Sequence, residues 1–215
     1  MKKNIIILFL TICFFNPIFI VAQKKGGNDT IPESQIKKSI QTFANLIDSQ
    51  DVQEFGLKSV AELKSLKPGK QFRKFMIGLN DIKKYKPGED VRKIIKEYLS
   101  IEVSLVDKAG KIRTSIEFVK NKGNWEASRY GSTPELKILS NAQTALGASF
   151  VKKGDLIRIP ALQINFIAVA SAAVLEFISL EDNQKLKLKK GEKLTSSEAI
   201  LRLVPLANKH NGLPN

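Results

Sequence analysis

Cysteine occurs once, at position 13, and histidine once, at position 210. A single thiol allows no internal disulfide and no cysteine-based zinc or iron–sulfur set. A lone histidine near the C-terminal end argues against Ser-His-Asp catalysis and against any multi-histidine metal site; it reads as a helix-end residue, compatible with the helix dipole. Arginine is scarce: of 35 basic residues only Arg73, Arg92, Arg113, Arg129, Arg158 and Arg202 are arginine. Nucleic-acid readers rely on the bidentate guanidinium fork, and neither a glycine–aromatic RNA-binding signature nor a Cys-His finger occurs. Nucleic acid is therefore not an expected partner. No G-x-S-x-G elbow is present, and the strings Ser34-Gln-Ile-Lys37 and Ser149-Phe-Val-Lys152 lack their S-D-N and K-T-G companions. Glycines are spread among turns and acids never reach calcium-loop spacing, so no cofactor and no metal are expected.

The most specific signal that is present lies in residues 1–22. Lys2 and Lys3 precede an apolar run, Ile5 to Phe15, interrupted only by Thr11. Asn16-Pro17 break the run, and Ala22 offers a small residue ahead of Gln23. This is the layout of a secretory signal peptide. A membrane anchor takes about 20 continuous apolar residues, and Cys13 sits mid-run without a lipoprotein context. The expectation is cleavage after Ala22 and a periplasmic or secreted protein with no transmembrane anchor. Cleavage also removes Cys13, leaving a cysteine-free chain.

Lys and Arg exceed Asp and Glu by 14 over the full sequence. Outside the cytoplasm such a surplus suits an anionic glycan or lipid surface; a merely solvated lysine-rich surface is the alternative.

Residues 23–29 (QKKGGND) read as a disordered leader. Thr30-Ile-Pro-Glu33 predicts a capping box. Ile36, Ile40, Phe43, Ala44 and Ile47 then form one helical stripe. A short helix is predicted over 59–66, ended by Pro68-Gly69, and a strand over 71–77. Alternation in Ile101–Leu105 and Ile112–Phe118, with turns at 107–111 and 121–124, predicts an antiparallel meander with one buried face that continues from Trp125. Ser132-Thr-Pro-Glu135 caps a further helix ending at Gly147. Strands follow over 156–159, 162–170 and 174–180, the middle one buried on both faces. The Lys/Leu alternation of 185–190 reads as a charge-guarded edge or loop. Thr195-Ser-Ser-Glu198 caps a last helix, which Pro205 should kink or end. The fold class is α+β: antiparallel meanders packed on amphipathic helices, in one domain over 30–215. A sub-boundary near 147–154 and a diverged strand–strand–strand–helix duplication are compatible with this order.

Two constellations could carry function. If Val119 lies opposite Asn124, Glu117 and Glu126 face each other across a hairpin and could split their pKa values as an acid–base pair for hydrolysis. A one-residue slip separates them, and Arg113 could neutralise Glu117 as an ordinary ion pair. Trp125 and Tyr130, flanking Arg129, could stack on a sugar ring or peptide; core packing with a polar tip is the alternative.

The segments Gly69-Lys-Gln-Phe72, Tyr85-x-Pro-Gly88-x-x-Val91, Gly110-Lys-Ile-Arg113, Gly123-Asn-Trp125-Glu126 and Tyr130-Gly131 resemble a family of exported bacterial α+β proteins without assigned activity. Ile159-Pro160 and Gly212-Leu-Pro214 extend the likeness over nearly the whole mature chain, and the signal segment resembles those of Bacteroidota. A fainter similarity, in the strand-strand-helix rhythm and Ile159-Pro160-Ala-Leu162, is to periplasmic relatives of the intermembrane-space component of the chloroplast import machinery. It implies an escort role. The expectation is a non-catalytic binding protein of the bacterial envelope, engaging an envelope protein or an anionic glycan or lipid. A periplasmic escort, a carboxylate-dependent hydrolase and a charge-driven polyanion binder are the alternatives.

Overall fold

A computed structural model describes residues 30–131, 133–147, 154–170 and 174–211. The predicted signal peptide, the leader, the Ser132 cap, Ser149–Lys152 and the Gly212–Pro214 tail lie outside the described residues. Helix α1 (Glu33–Leu46) is followed by α2 (Val60–Ser65), strand β1 (Lys67–Ile77) and α3 (Leu79–Lys84). A meander of β2 (Ile95–Val106), β3 (Ile112–Asn121) and β4 (Asn124–Tyr130) leads into α4 (Thr133–Leu146). The second half runs β5 (Asp155–Ile159), β6 (Ile164–Ala170), β7 (Leu175–Ser179), β8 (Lys193–Thr195) and α5 (Ser196–Lys209). The fold is α+β, as the alternation of patterns predicts.

All eight strands join one sheet in the order β4-β3-β2-β1-β5-β6-β7-β8. Every neighbouring pair is antiparallel except β1 and β5, which run parallel. Each half is thus four antiparallel strands in sequence closed by a helix, and the halves meet along their first strands.

On the front face, α1 and α2 bury Ile36, Ile40, Phe43 and Leu63 against Ile101, Val103, Ile116 and Phe118. Farther along the same face, α3 and α5 bury Ile82, Ile200 and Leu203 against Ile77, Ile157, Phe166 and Phe177. On the back face, α4 packs Ile138, Leu139 and Ala142 over Phe72, Leu156, Ile167 and Ile178. With helices on both sides, β2 and β3 are buried on both faces, not on one, while β4 at the sheet edge has no fully buried residue. Ser100, Glu102, Ser104 and Ser115, which alternation alone assigns to solvent, are all buried. Strand β6 is interior, with Phe166, Ile167 and Ala168 buried in succession as expected.

Three local expectations are revised. Helix α1 starts behind Pro32 with no side-chain cap. The Gln71 amide instead donates to the Ile31 carbonyl at 2.9 Å and accepts from its N–H at 2.8 Å. That exchange holds residue 31 against β1 before the helix begins. Pro68-Gly69 lies inside β1, where the register shifts, and does not merely end α2. Helix α5 runs through Pro205 without ending, since Leu203 and Ala207 on either side are buried in the core. Its predicted capping box is formed: Thr195 Oγ1 accepts from Glu198 N–H at 3.2 Å, and Glu198 Oε2 accepts from Thr195 N–H at 2.9 Å.

Candidate functional site

Strand register places one row of side chains across the back face: Phe72 opposite Glu102, Glu102 opposite Glu117, Glu117 opposite Arg129. Two carboxylates directly opposite on neighbouring strands repel. Lys74, two residues along β1 from Phe72 and so on the same face, stands beside them where the β1–β2 register shifts between Arg73 and Phe75. Lys74 Nζ donates to Glu102 Oε2 and to Glu117 Oε1, both at 2.8 Å, and Arg129 Nη2 lies 3.0 Å from Glu117 Oε2. Lys74 and Glu102 are each 2 % exposed and Glu117 is 12 % exposed. Two cations therefore offset two anions: Lys74 and Glu102 are buried, and Arg129, 46 % exposed, closes the outer edge, the pairing that buried charges require.

Burial alone would push the Glu117 carboxyl up. The Lys74 hydrogen bond and charge, the Arg129 charge and the nearby Ser100 hydroxyl outweigh it and hold the group below the ordinary glutamate value. A lowered folded-state value means that Glu117 contributes stability above its unfolded value, about 4.3. That contribution drains away as pH falls from there through the lowered value. Urea midpoints followed from about pH 6 to pH 2.5 should fall more steeply for the wild type than for Glu117→Gln. Parallel curves would remove Glu117 from the acid response.

The hairpin that was to join Glu117 to Glu126 has another register. Lys122 and Gly123 both take positive φ, 47° and 88°, making a two-residue turn. Asn121 therefore pairs with Asn124, and Val119 stands opposite Glu126. A bulge between Glu117 and Phe118 then brings Arg129 opposite Glu117. Glu126 is exposed and accepts a hydrogen bond from Asn121 Nδ2 at 3.1 Å. Arg113 does not serve Glu117 either; its Nε lies 3.0 Å from Glu62 Oε1.

The aromatic candidates are separated from Arg129 by the sheet. Tyr130 stacks on Phe43 of α1, with ring centroids 4.6 Å apart. Trp125 packs against the same front-face core, and its carbonyl accepts from Gln35 Nε2. Of Trp125, Arg129 and Tyr130, only Arg129 reaches the charged row. Of the Ser-x-x-Lys strings, Ser34 and Lys37 are exposed on α1, where Lys37 pairs with Glu33 at 2.7 Å.

No protein-family model, curated protein or solved structure matches this chain.

Among the described residues, no helix is long and apolar enough to cross a membrane. A second concave surface lies at the far end of the molecule. Lys185, Leu186, Lys187, Glu192, Arg202, Pro205, Leu206 and Lys209 line a groove of about 890 Å³ between α5 and the β7–β8 connection. The Lys/Leu alternation builds one wall: Leu186 and Leu188 are buried, while Lys185 and Lys187 project outward. Glu192 accepts from Arg202 at 2.9 Å and from Lys189 N–H at 2.9 Å. Those bonds, the Lys189 backbone foremost, lower its pKa and engage the one acid in the lining. Lys185, Lys187 and Lys209 are exposed and make no ion pair among the described residues. Sequence reading found the alternation but had no means of bringing Lys209, on α5, to the same groove.

Proposed function

We propose that this chain is an exported, non-catalytic binding protein of the bacterial envelope whose ligand is an anionic glycan. The observation that carries the reading is the α5 groove. It combines three exposed lysines and Arg202 with an apolar floor of Leu186 and Leu206, and its only acid is already paired. Such a surface attracts sulfated or carboxylated polymer by charge and holds its backbone on the floor. The strong positive balance of the whole chain supports capture in the same direction.

Fluorescein-labelled dextran sulfate tests it. Affinity should fall steeply with added NaCl, since each neutralised anion releases a counterion. Lys187→Glu with Lys209→Glu should weaken binding by more than about tenfold. Lys38→Glu, a charge reversal on the exposed face of α1, should change it far less. Equal losses from the two variants would mean diffuse attraction to a basic surface and would overturn the groove.

A further inference from the structure

A groove of about 550 Å³ runs between the start of α4, the β5–β6 turn and the end of β7. It carries charges of both signs. Lys137 of α4, Gln163 and Asn165 at the β5–β6 turn and Glu181 just past β7 supply its polar lining. Ile138 and Ile164 lie beneath it, and the exposed rings of Pro134 and Pro160 form apolar walls. The frame is tied together on each side. Asn141 Nδ2 donates to the Leu180 carbonyl at 2.9 Å, which joins α4 to the end of β7. Ser179 Oγ donates to the Glu181 carbonyl at 2.8 Å, and Leu180 N–H donates to the Asn165 carbonyl at 3.4 Å.

Within this frame, the Lys137, Gln163, Asn165 and Glu181 side chains make no hydrogen bond or ion pair among the described residues, with one another included. Arg158, which also lines the groove, is already engaged and is not counted with them. Asn165 and Glu181 are half-buried. A half-buried amide with both donors and its oxygen unused matches a peptide group, which offers one carbonyl and one N–H. An ammonium only donates and a carboxylate only accepts. A ligand that serves both Lys137 and Glu181 therefore carries a carboxylate and an ammonium.

We propose that this groove binds a short peptide with free ends, its carboxylate on Lys137, its ammonium on Glu181 and a peptide group on Asn165. The volume lies within the roughly 300–1,000 Å³ of small-ligand pockets, room for a few residues and not for a folded partner. A polyanion of the kind read for the α5 groove would meet the Glu181 carboxylate here, so the two sites stand or fall independently.

The test is an amide-resolved NMR titration of the purified protein with alanyl-leucine at constant ionic strength. Its N-acetyl form and its C-terminal amide, each lacking one charge, are titrated in parallel. The expected result is saturable shifts centred on residues 137–138, 163–165 and 181, with each blocked form about tenfold weaker. Glu181→Gln should weaken alanyl-leucine about tenfold and leave the N-acetyl form bound as by the wild type. Lys137→Gln should do the same for alanyl-leucine and leave the C-terminal amide unaffected. Both variants should keep the wild-type melting temperature, and Lys187→Glu with Lys209→Glu should bind alanyl-leucine normally. Shifts that fail to saturate or that scatter over the surface would overturn the proposal. So would blocked forms equal to the free dipeptide, or a variant that weakens all three ligands alike.

Discussion

Lys74→Met is expected to destabilise the protein by about 3–5 kcal/mol, the range for removing one partner from a buried ion pair. Methionine keeps most of the apolar stem, so the loss is not that of a cavity. It comes from leaving Glu102 and Glu117 opposite each other, with Arg129 at the outer edge of Glu117 as the remaining cation paired to them among the described residues. One of the two carboxyls then takes a proton, which relieves the repulsion. The deficit relative to wild type should accordingly shrink as pH is lowered below about 5. Denaturant unfolding of Lys74→Met beside Lys74→Met/Glu102→Gln/Glu117→Gln separates charge from packing. The triple variant should recover most of the lost stability, because no buried carboxylate is left uncompensated and the remaining cation, Arg129, is 46 % exposed and can be hydrated. A single variant within about 1 kcal/mol of wild type, in the range of exposed pairs, would mean that the cluster is hydrated and that its ion pairs contribute little.

Phe43→Ala should cost a similar amount, about 3–5 kcal/mol, by a different route. Phe43 is buried on α1, edge-on to Phe55 at 5.1 Å and stacked on Tyr130 at 4.6 Å. Its truncation removes core area and two aromatic contacts, each worth about 0.5–1.5 kcal/mol beyond burial. Because Phe43 joins α1 to Tyr130 of the meander, the loss should be local first. Hydrogen exchange should show residues 33–46 losing protection before the central strands do. Phe43→Leu, which keeps more volume, should cost clearly less. Uniform loss of protection across the sheet would show that α1 is no separate unit of stability.

The elements were largely legible because hydrophobic periodicity reports local burial. The stripe Ile36-Ile40-Phe43-Ala44, the alternation of Ile101 to Leu105 and the Thr195/Glu198 box all correspond to observed structure. The charged row was not legible, for two physical reasons. First, alternation in β2 and β3 reads as one apolar and one polar face, and sequence assigns the polar one to water. Here α4, brought back from residues 133–146, covers part of that face, and Ser100, Glu102, Ser104 and Ser115 on it are buried. Second, register depends on turn type and bulges. Lys122 at positive φ and the bulge beside Glu117 each move a partner by one position, which separated Glu117 from Glu126 and gave it Arg129. The signal available was Lys74 midway between Phe72 and Met76 on one face of β1, an ion with no reason to be on that face unless partnered.

The parallel seam between β1 and β5 has a consequence for how the chain reaches this structure. Every antiparallel contact in the sheet joins strands close in sequence, so each meander can assemble around its own turns. The seam instead joins Lys74, Phe75 and Met76 to Leu156, Ile157 and Arg158 by three rungs, across about 80 residues. Loop closure over that distance has to precede any reward from the contact. The expected folding order is therefore two half-sheets forming early and docking late, with the Arg73–Asp155 pair at the edge of the seam closing last. Until that docking, both β1 and β5 present an unpaired edge. The interval in which the chain is most exposed to mispairing with another strand is set by this short seam more than by the length of the protein.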